Sequence, residues 1–156
     1  MHHRTKAVPA LFAVAALAAP AAAHADTTLT FKEVDKGATF HFIDNPPKAK
    51  HDRPSAGDEF VITTPLVSNS GKHIGKLRAT CTVTRATKSG NGDDVCFGVF
   101  SFASGSLDAM VSQGNLNAKT TTGGIVGGTG SYAGARGTFV SKSTKTGGND
   151  TVTLLG

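Results

Sequence analysis

The chain is 156 residues long and carries 16 Lys and Arg against 11 Asp and Glu, a formal charge of +5. That length allows one domain with one core. The basic residues stand singly or in pairs with no aromatic residues among them, which argues against nucleic acid as a partner and for a solvated surface of mixed sign.

The first 25 residues read as an address. A basic start (His2, His3, Arg4, Lys6) leads into an apolar run from Ala7 to Ala22, interrupted by Pro9 and Pro20 and closed by Ala23-His24-Ala25. This is the pattern of a secretory signal cleaved before Asp26. The run falls short of the roughly 20 apolar residues that span a bilayer, so no stable membrane insertion is expected. The expectation is a secreted, extracellular protein with signal peptide 1–25 and a single domain 26–156. Loss of Arg4 and Lys6 leaves 14 basic residues against 11 acidic, a formal +3.

Strand patterns fill the rest. Thr27–Val34 alternates Leu29 and Phe31 against Thr28, Thr30 and Lys32, and Lys36-Gly37 turns the chain into Thr39–Ile43. Residues 45–57, with Pro46, Pro47 and Pro54, form one long polar loop. Glu59–Ser68 follows, with Pro65 marking an edge or a bulge, and then a turn at Asn69-Ser70-Gly71-Lys72. Ile74–Thr84 puts Leu77, Ala79, Cys81 and Val83 on one face. Beyond a polar turn at residues 88–94, Val95–Ala103 does the same with Cys96, Gly98, Phe100 and Phe102. Ser106–Ser112, Asn115–Val126, Ala135–Ser141 and Asp150–Leu155 complete the series. No window holds a helical period. Eight or nine strands at roughly ten-residue spacing describe an antiparallel sandwich or barrel. With no helix to cover an edge, closure into a barrel is the better solution.

Cys81 and Cys96 are the only cysteines. An even pair in an oxidising compartment reads as a disulfide, here on the inner face of a hairpin; a free reactive thiol is the alternative. No metal site is indicated, because His41, His51 and His73 lack ligand spacing. Residues Gly128 to Ala133 satisfy G-x-G-x-x-G/A, but the dinucleotide motif must open a helix, and Gly134 and Gly137 break one. These glycines suit positive φ at a tight turn and a bulge between two barrel strands. Arg136 is either a cation gripping a substrate oxygen at the barrel mouth or a surface residue paired with an acid.

From about Gly57 onward the chain resembles the dirigent protein and allene oxide cyclase superfamily. The matching pieces are Gly57-Asp58 opening a strand, Leu66, Ser70-Gly71, Gly75 and Cys81. Strongest is Gly127-Gly128-Thr129-Gly130-x-Tyr132-x-x-Ala135-Arg136-Gly137, which resembles the dirigent G-G-T-G-x-F-x-x-A-R-G segment. The resemblance implies an all-β, eight-stranded antiparallel barrel, often a homotrimer, with an apolar cavity and no cofactor. It implies binding of a small apolar or phenolic molecule and direction of its coupling or cyclisation. Arg136 takes the position of the dirigent pocket arginine, with Asp44 and Tyr132 as further catalytic candidates and Asp58 and Thr129 as ligand contacts. Asp58, next to Gly57 at a strand start, equally suits a turn cap. The cyclase pattern departs: with Asp35-Lys36-Gly37 on its D-R-G, Thr30 replaces the glutamate and Lys32 an asparagine. Two other readings stand beside the steering pocket: a carrier without chemistry, and a scaffold whose barrel is filled by its own Phe side chains.

Overall fold

The computed structural model describes residues 26–45, 54–87, 91–115 and 118–156. The expected signal peptide, His51, Pro46 and Pro47, and the Lys88–Gly90 part of one turn lie outside the described residues.

The expected strands form: β1 (Thr27–Val34), β2 (Thr39–Ile43), β3 (Glu59–Val67), β4 (His73–Ala86), β5 (Gly92–Phe102), β6 (Gly105–Gln113), β7 (Thr120–Gly130), β8 (Gly137–Thr144) and β9 (Gly147–Leu154). Of these, β5 starts inside the expected 88–94 turn, and β7 is shifted from the expected Asn115–Val126. No helix occurs among the described residues. All pairings are antiparallel, in the order β1-β9-β8-β7-β6-β5-β4-β3-β2, and β1 also pairs with β3. That last contact closes the sheet into a barrel, and among the described residues β2 is paired on one side only.

The count of nine reduces to eight staves. Lys36-Gly37 was expected to turn the chain into a new strand, but β1 and β2 do not pair with one another. Both run along the same side of β3, β1 at Lys32↔Val67 and Glu33↔Leu66, β2 from Thr39↔Thr63 to Ile43↔Glu59. Between the two registers the chain inserts three extra residues, Asp35 to Gly37, as a bulge in one long stave. Gly37 has φ of 84° there, open to glycine without strain. Pro65 falls opposite this gap, where β3 has no ladder partner on that side and the missing N–H costs nothing.

The glycine run holds the expected turn and bulge but carries the strand beyond its expected end at Val126. Gly130 and Gly134 do take positive φ, at 59° and 76°, around the turn Ser131–Gly134. The other glycines of the segment instead continue β7, with a bulge where the β6–β7 register slips beside Val126. At Gly123 the reason is contact: a Cβ there would stand 2.3 Å from Cε1 of its cross-strand partner Phe139.

One end of the barrel carries the connections 44–58, 87–91, 114–119 and 145–146 and is called the loop end. The other, the turn end, carries 68–72, 103–104 and 131–136. The core lies nearer the turn end. Phe31, Leu66, Phe100, Leu107, Ile125, Phe139 and Val152 are all buried there. Tyr132, Phe102, Phe31, Phe100 and Phe139 form a chain of edge-on and tilted rings with centroids 5.4–5.8 Å apart, a geometry that favours aromatic pairs. Cys81 and Cys96 are direct cross-strand partners and form the disulfide.

Candidate functional site

The aromatic chain plugs the middle of the barrel and leaves the loop end hollow. A cavity of about 620 Å³ opens there, lined by residues from all eight staves, β9 contributing only Gly147 and Gly148. This falls within the range of small-molecule sites, so the phenylalanines do not fill the barrel. Phe60, Ile62, Leu77, Phe100, Val111 and Phe139 form apolar wall, and Phe40 and Pro54 stand at the rim. The Phe60 ring lies 5.4 Å from Phe40 and 5.3 Å from Phe42.

The polar part of the lining follows from strand register. Cross-strand partners share a face, and one row of partners runs Asp150 (β9), Ser141 (β8), Thr121 (β7), with Gln113 (β6) and Asp94 (β5) paired beyond it. The Thr121 hydroxyl donates to Gln113 Oε1 at 3.3 Å, and Gln113 Nε2 donates to Asp94 Oδ2 at 3.3 Å. The result is a polar belt across five neighbouring staves. Asp150 and Asp94 end it on opposite walls, four staves apart.

Both terminal acids are buried, at 2 % and 5 % exposure. Neither oxygen of Asp150, nor Oδ1 of Asp94, has a hydrogen-bond partner among the described residues. Glu33 reaches the same region from β1. Opposite it in the ladder is Gly148, where a Cβ would meet Ser141 Oγ at 3.0 Å and Glu33 Cβ at 3.7 Å; glycine keeps that space open. Burial, and then the charge of Asp150, push the Glu33 carboxyl from its usual 4.5 up to about 8. Asp150 is raised as well, burial outweighing the influence of Ser141 and Glu33. Asp94 is raised by burial against the opposing hydrogen bond from Gln113. The site therefore holds Glu33 protonated near neutral pH beside Asp150, whose carboxyl burial also raises, an arrangement from which proton transfer can be built. The disulfide sulfurs lie within 4.8 Å of the Asp94 carboxylate, but as a disulfide they offer a metal no thiolate.

The five residues singled out in the sequence lie elsewhere. Arg136, expected on or beside a lining strand, is exposed at the turn end and donates through Nη1 to the carbonyls of Val126 and Ala135, both at 2.9 Å. No acid pairs with it in a salt bridge among the described residues. Tyr132 packs on Phe102 at that same end, and the exposed Thr129 hydroxyl shares a hydrogen bond of 2.9 Å with Ser106. Tyr132 borders a separate turn-end cleft with Phe31, Phe102 and His73. At the loop end, Asp58 is buried but accepts hydrogen bonds from Asn45 N, Ser55 N and Ser55 Oγ at 3.0, 2.6 and 3.1 Å. It fastens the return of the long loop, which is the capping alternative. Asp44 is half-buried just beyond β2 and does not line the cavity.

The residues the sequence reading missed carried a signal. Glu33 is in phase with Leu29 and Phe31, Asp150 with Val152 and Leu154, Asp94 with Cys96, Gly98 and Phe100, and Gln113 with Val111 and Ala109. Each is a polar residue on the apolar face of its strand, at the end of the strand that reaches the loop end.

No known family profile matches the sequence, and no curated protein matches it. Solved structures do match. Pyocyanin demethylase superposes with a TM-score of 0.67 at 22% identity, covering 82% of this chain and 99% of that one. A pterocarpan synthase dirigent protein matches with a TM-score of 0.59 at 19% identity, over 83% of this chain and 82% of that one. An exo-specific intermolecular Diels-Alderase matches at 0.60 and 11% identity, over 85% and 100%. At these identities the likeness is one of architecture. This chain has the closed eight-stave antiparallel barrel shared by dirigent and cyclase-type proteins, the fold that the Gly127–Gly137 segment implied.

Proposed function

We propose that the barrel binds a small molecule of apolar or phenolic character in the loop-end cavity and directs its coupling or cyclisation without a cofactor. The observation that carries this reading is the cavity itself, an apolar and aromatic chamber lined by a protonated Glu33 and by Asp94, with Asp150 buried beside Glu33. Apolar walls fix the pose of a reactive molecule, and placed carboxyls shift protons in it; such steering needs shape and a few dipoles more than a nucleophile. The matched dirigent protein and Diels-Alderase use the same architecture for the reactions in their names, which supports the reading by analogy of fold. Glu33 and Asp150 are the acid–base pair in this proposal. Arg136, Tyr132 and Thr129 serve the turn end, with Arg136 fastening the β7–β8 connection. Asp44 and Asp58 hold the loop-end rim.

Export completes the proposal. The signal-like segment of residues 1–25 and a disulfide that needs an oxidising compartment both support it. The homotrimer implied by the resemblance is supported by an apolar outer face. Phe97, Val99, Met110 and Val126 are exposed there on neighbouring strands, Phe97 at 61 %, more than a lone barrel leaves to water without reason.

The ligand part is tested with N-phenyl-1-naphthylamine, a neutral probe that fluoresces in apolar sites. Saturable micromolar binding, displaced by 4-propylphenol, is expected for the full chain. Ala109→Phe places a ring in the chamber and lowers probe affinity about tenfold or more. Ala79→Leu does the same more mildly if the first variant folds poorly. Unchanged affinity in a folded Ala109→Phe protein removes the cavity as the binding site.

A further inference from the structure

The cavity is acidic on two opposite walls. Glu33, Asp35 and Asp94 line it, Asp150 lies behind Ser141 and Glu33, and among the described residues no Lys, Arg or His lines it. Burying a carboxylate without a donor is costly. Asp94 nevertheless lines the chamber at 5 % exposure with Oδ1 unpartnered, and Asp150 has neither oxygen satisfied. The belt does not cure this. The Gln113 amide and the Thr121 hydroxyl direct their hydrogen bonds along the belt, Thr121 to Gln113 and Gln113 to Asp94 Oδ2, so Asp94 Oδ1, on a lining residue, is left without a donor. Phe60, Phe100 and Phe139 line the same chamber, and the faces of aromatic rings attract positive charge.

We propose that the ligand of this cavity is a planar aromatic cation, such as a protonated or N-alkylated heteroaromatic ring, held between Asp94 on β5 and the Glu33–Asp150 side of β1 and β9. This deepens the functional reading above and rests on it. A ring carrying delocalised positive charge suits acids on opposite walls better than a compact ammonium ion, which reaches one wall only. The phenylalanines supply stacking for the ring. The orphaned acceptors supply the specificity, because a neutral ring of the same shape leaves them unpaired.

Three ring probes of nearly equal size separate the charge from the shape: N-methylquinolinium, 1-methylnaphthalene and 1-naphthoate, each titrated calorimetrically into the full chain at neutral pH. N-methylquinolinium is expected to bind at least tenfold tighter than 1-methylnaphthalene, and 1-naphthoate more weakly than either. Asp94→Asn should cut the affinity for N-methylquinolinium about tenfold and shift that for 1-methylnaphthalene by less than twofold. Equal or tighter binding of 1-methylnaphthalene overturns the cation, while its own binding leaves the ligand cavity standing. An equal loss for both rings in Asp94→Asn overturns the role of Asp94 and the proposal with it. Failure of all three probes, together with N-phenyl-1-naphthylamine, overturns the cavity reading itself.

Discussion

Glu33 is the residue at which stability and the proposed chemistry meet. In the unfolded chain its carboxyl releases its proton near 4.5, whereas in the barrel it holds it to about 8. Between those values the folded state binds more protons than the unfolded state, so stability falls as pH rises through that window and levels off above it. The slope from this one group approaches at most about 1.4 kcal/mol per pH unit. Glu33→Gln keeps the shape and removes the titration. Thermal melts from pH 5 to pH 8 should show the wild-type midpoint falling steadily and the variant curve flatter, with the variant the more stable protein at pH 8. Parallel curves would mean that Glu33 is not the group concerned. A stabilising loss of an acid is the usual mark of a residue kept for function, and Gly148 beside it, which keeps its surroundings open, fits the same account.

At the scale of the element, the β4–β5 hairpin is the most constrained part of the wall. Its ladder runs from Gly75↔Phe102 to Ala86↔Gly92, with the Cys81–Cys96 bridge inside it. The bridge closes a loop of 15 residues, for which chain entropy suggests about 3 kcal/mol of stabilisation. Replacing both cysteines by alanine should lower the urea midpoint by that free energy while leaving the strand spectrum in place. Wild type in a strong thiol reductant should follow the variant. An unchanged midpoint in both would show that the hairpin ladder alone sets the stability. The β1–β2 stave shows the opposite design: three inserted residues break its register beside Pro65. The stave thereby carries Glu33 into the wall of the cavity and Phe40 to its rim.

The whole molecule joins three features in one place: a barrel closed by β1 on β3, an aromatic plug at mid-height, and a polar belt below it at the loop end. Native mass spectrometry of the protein recovered from the culture medium tests the parts of the proposal that lie outside a single folded chain. The expected species begins at Asp26 and contains three copies. A chain still bearing Met1 would remove the export step, and a single copy would remove the trimer. The sequence by itself determined the strands, since alternation with period two is a local property; β1 and β2 fall on Thr27–Val34 and Thr39–Ile43 as read. The Cys81–Cys96 bridge and the barrel class were legible for the same reason, from residues in phase on neighbouring strands. The glycine segment gave away the fold, while its Arg136 lies at the turn end, away from the loop-end cavity, and donates to the Val126 and Ala135 carbonyls. Only the tertiary structure decided which polar residues meet. Glu33, Asp94 and Asp150 are separated by 61 and 56 residues in the chain, and barrel closure and strand register bring them to one chamber. An acid on the apolar face of one strand reads as an exception; burial beside Asp150 raises the Glu33 carboxyl to about 8 and makes it a candidate for the site.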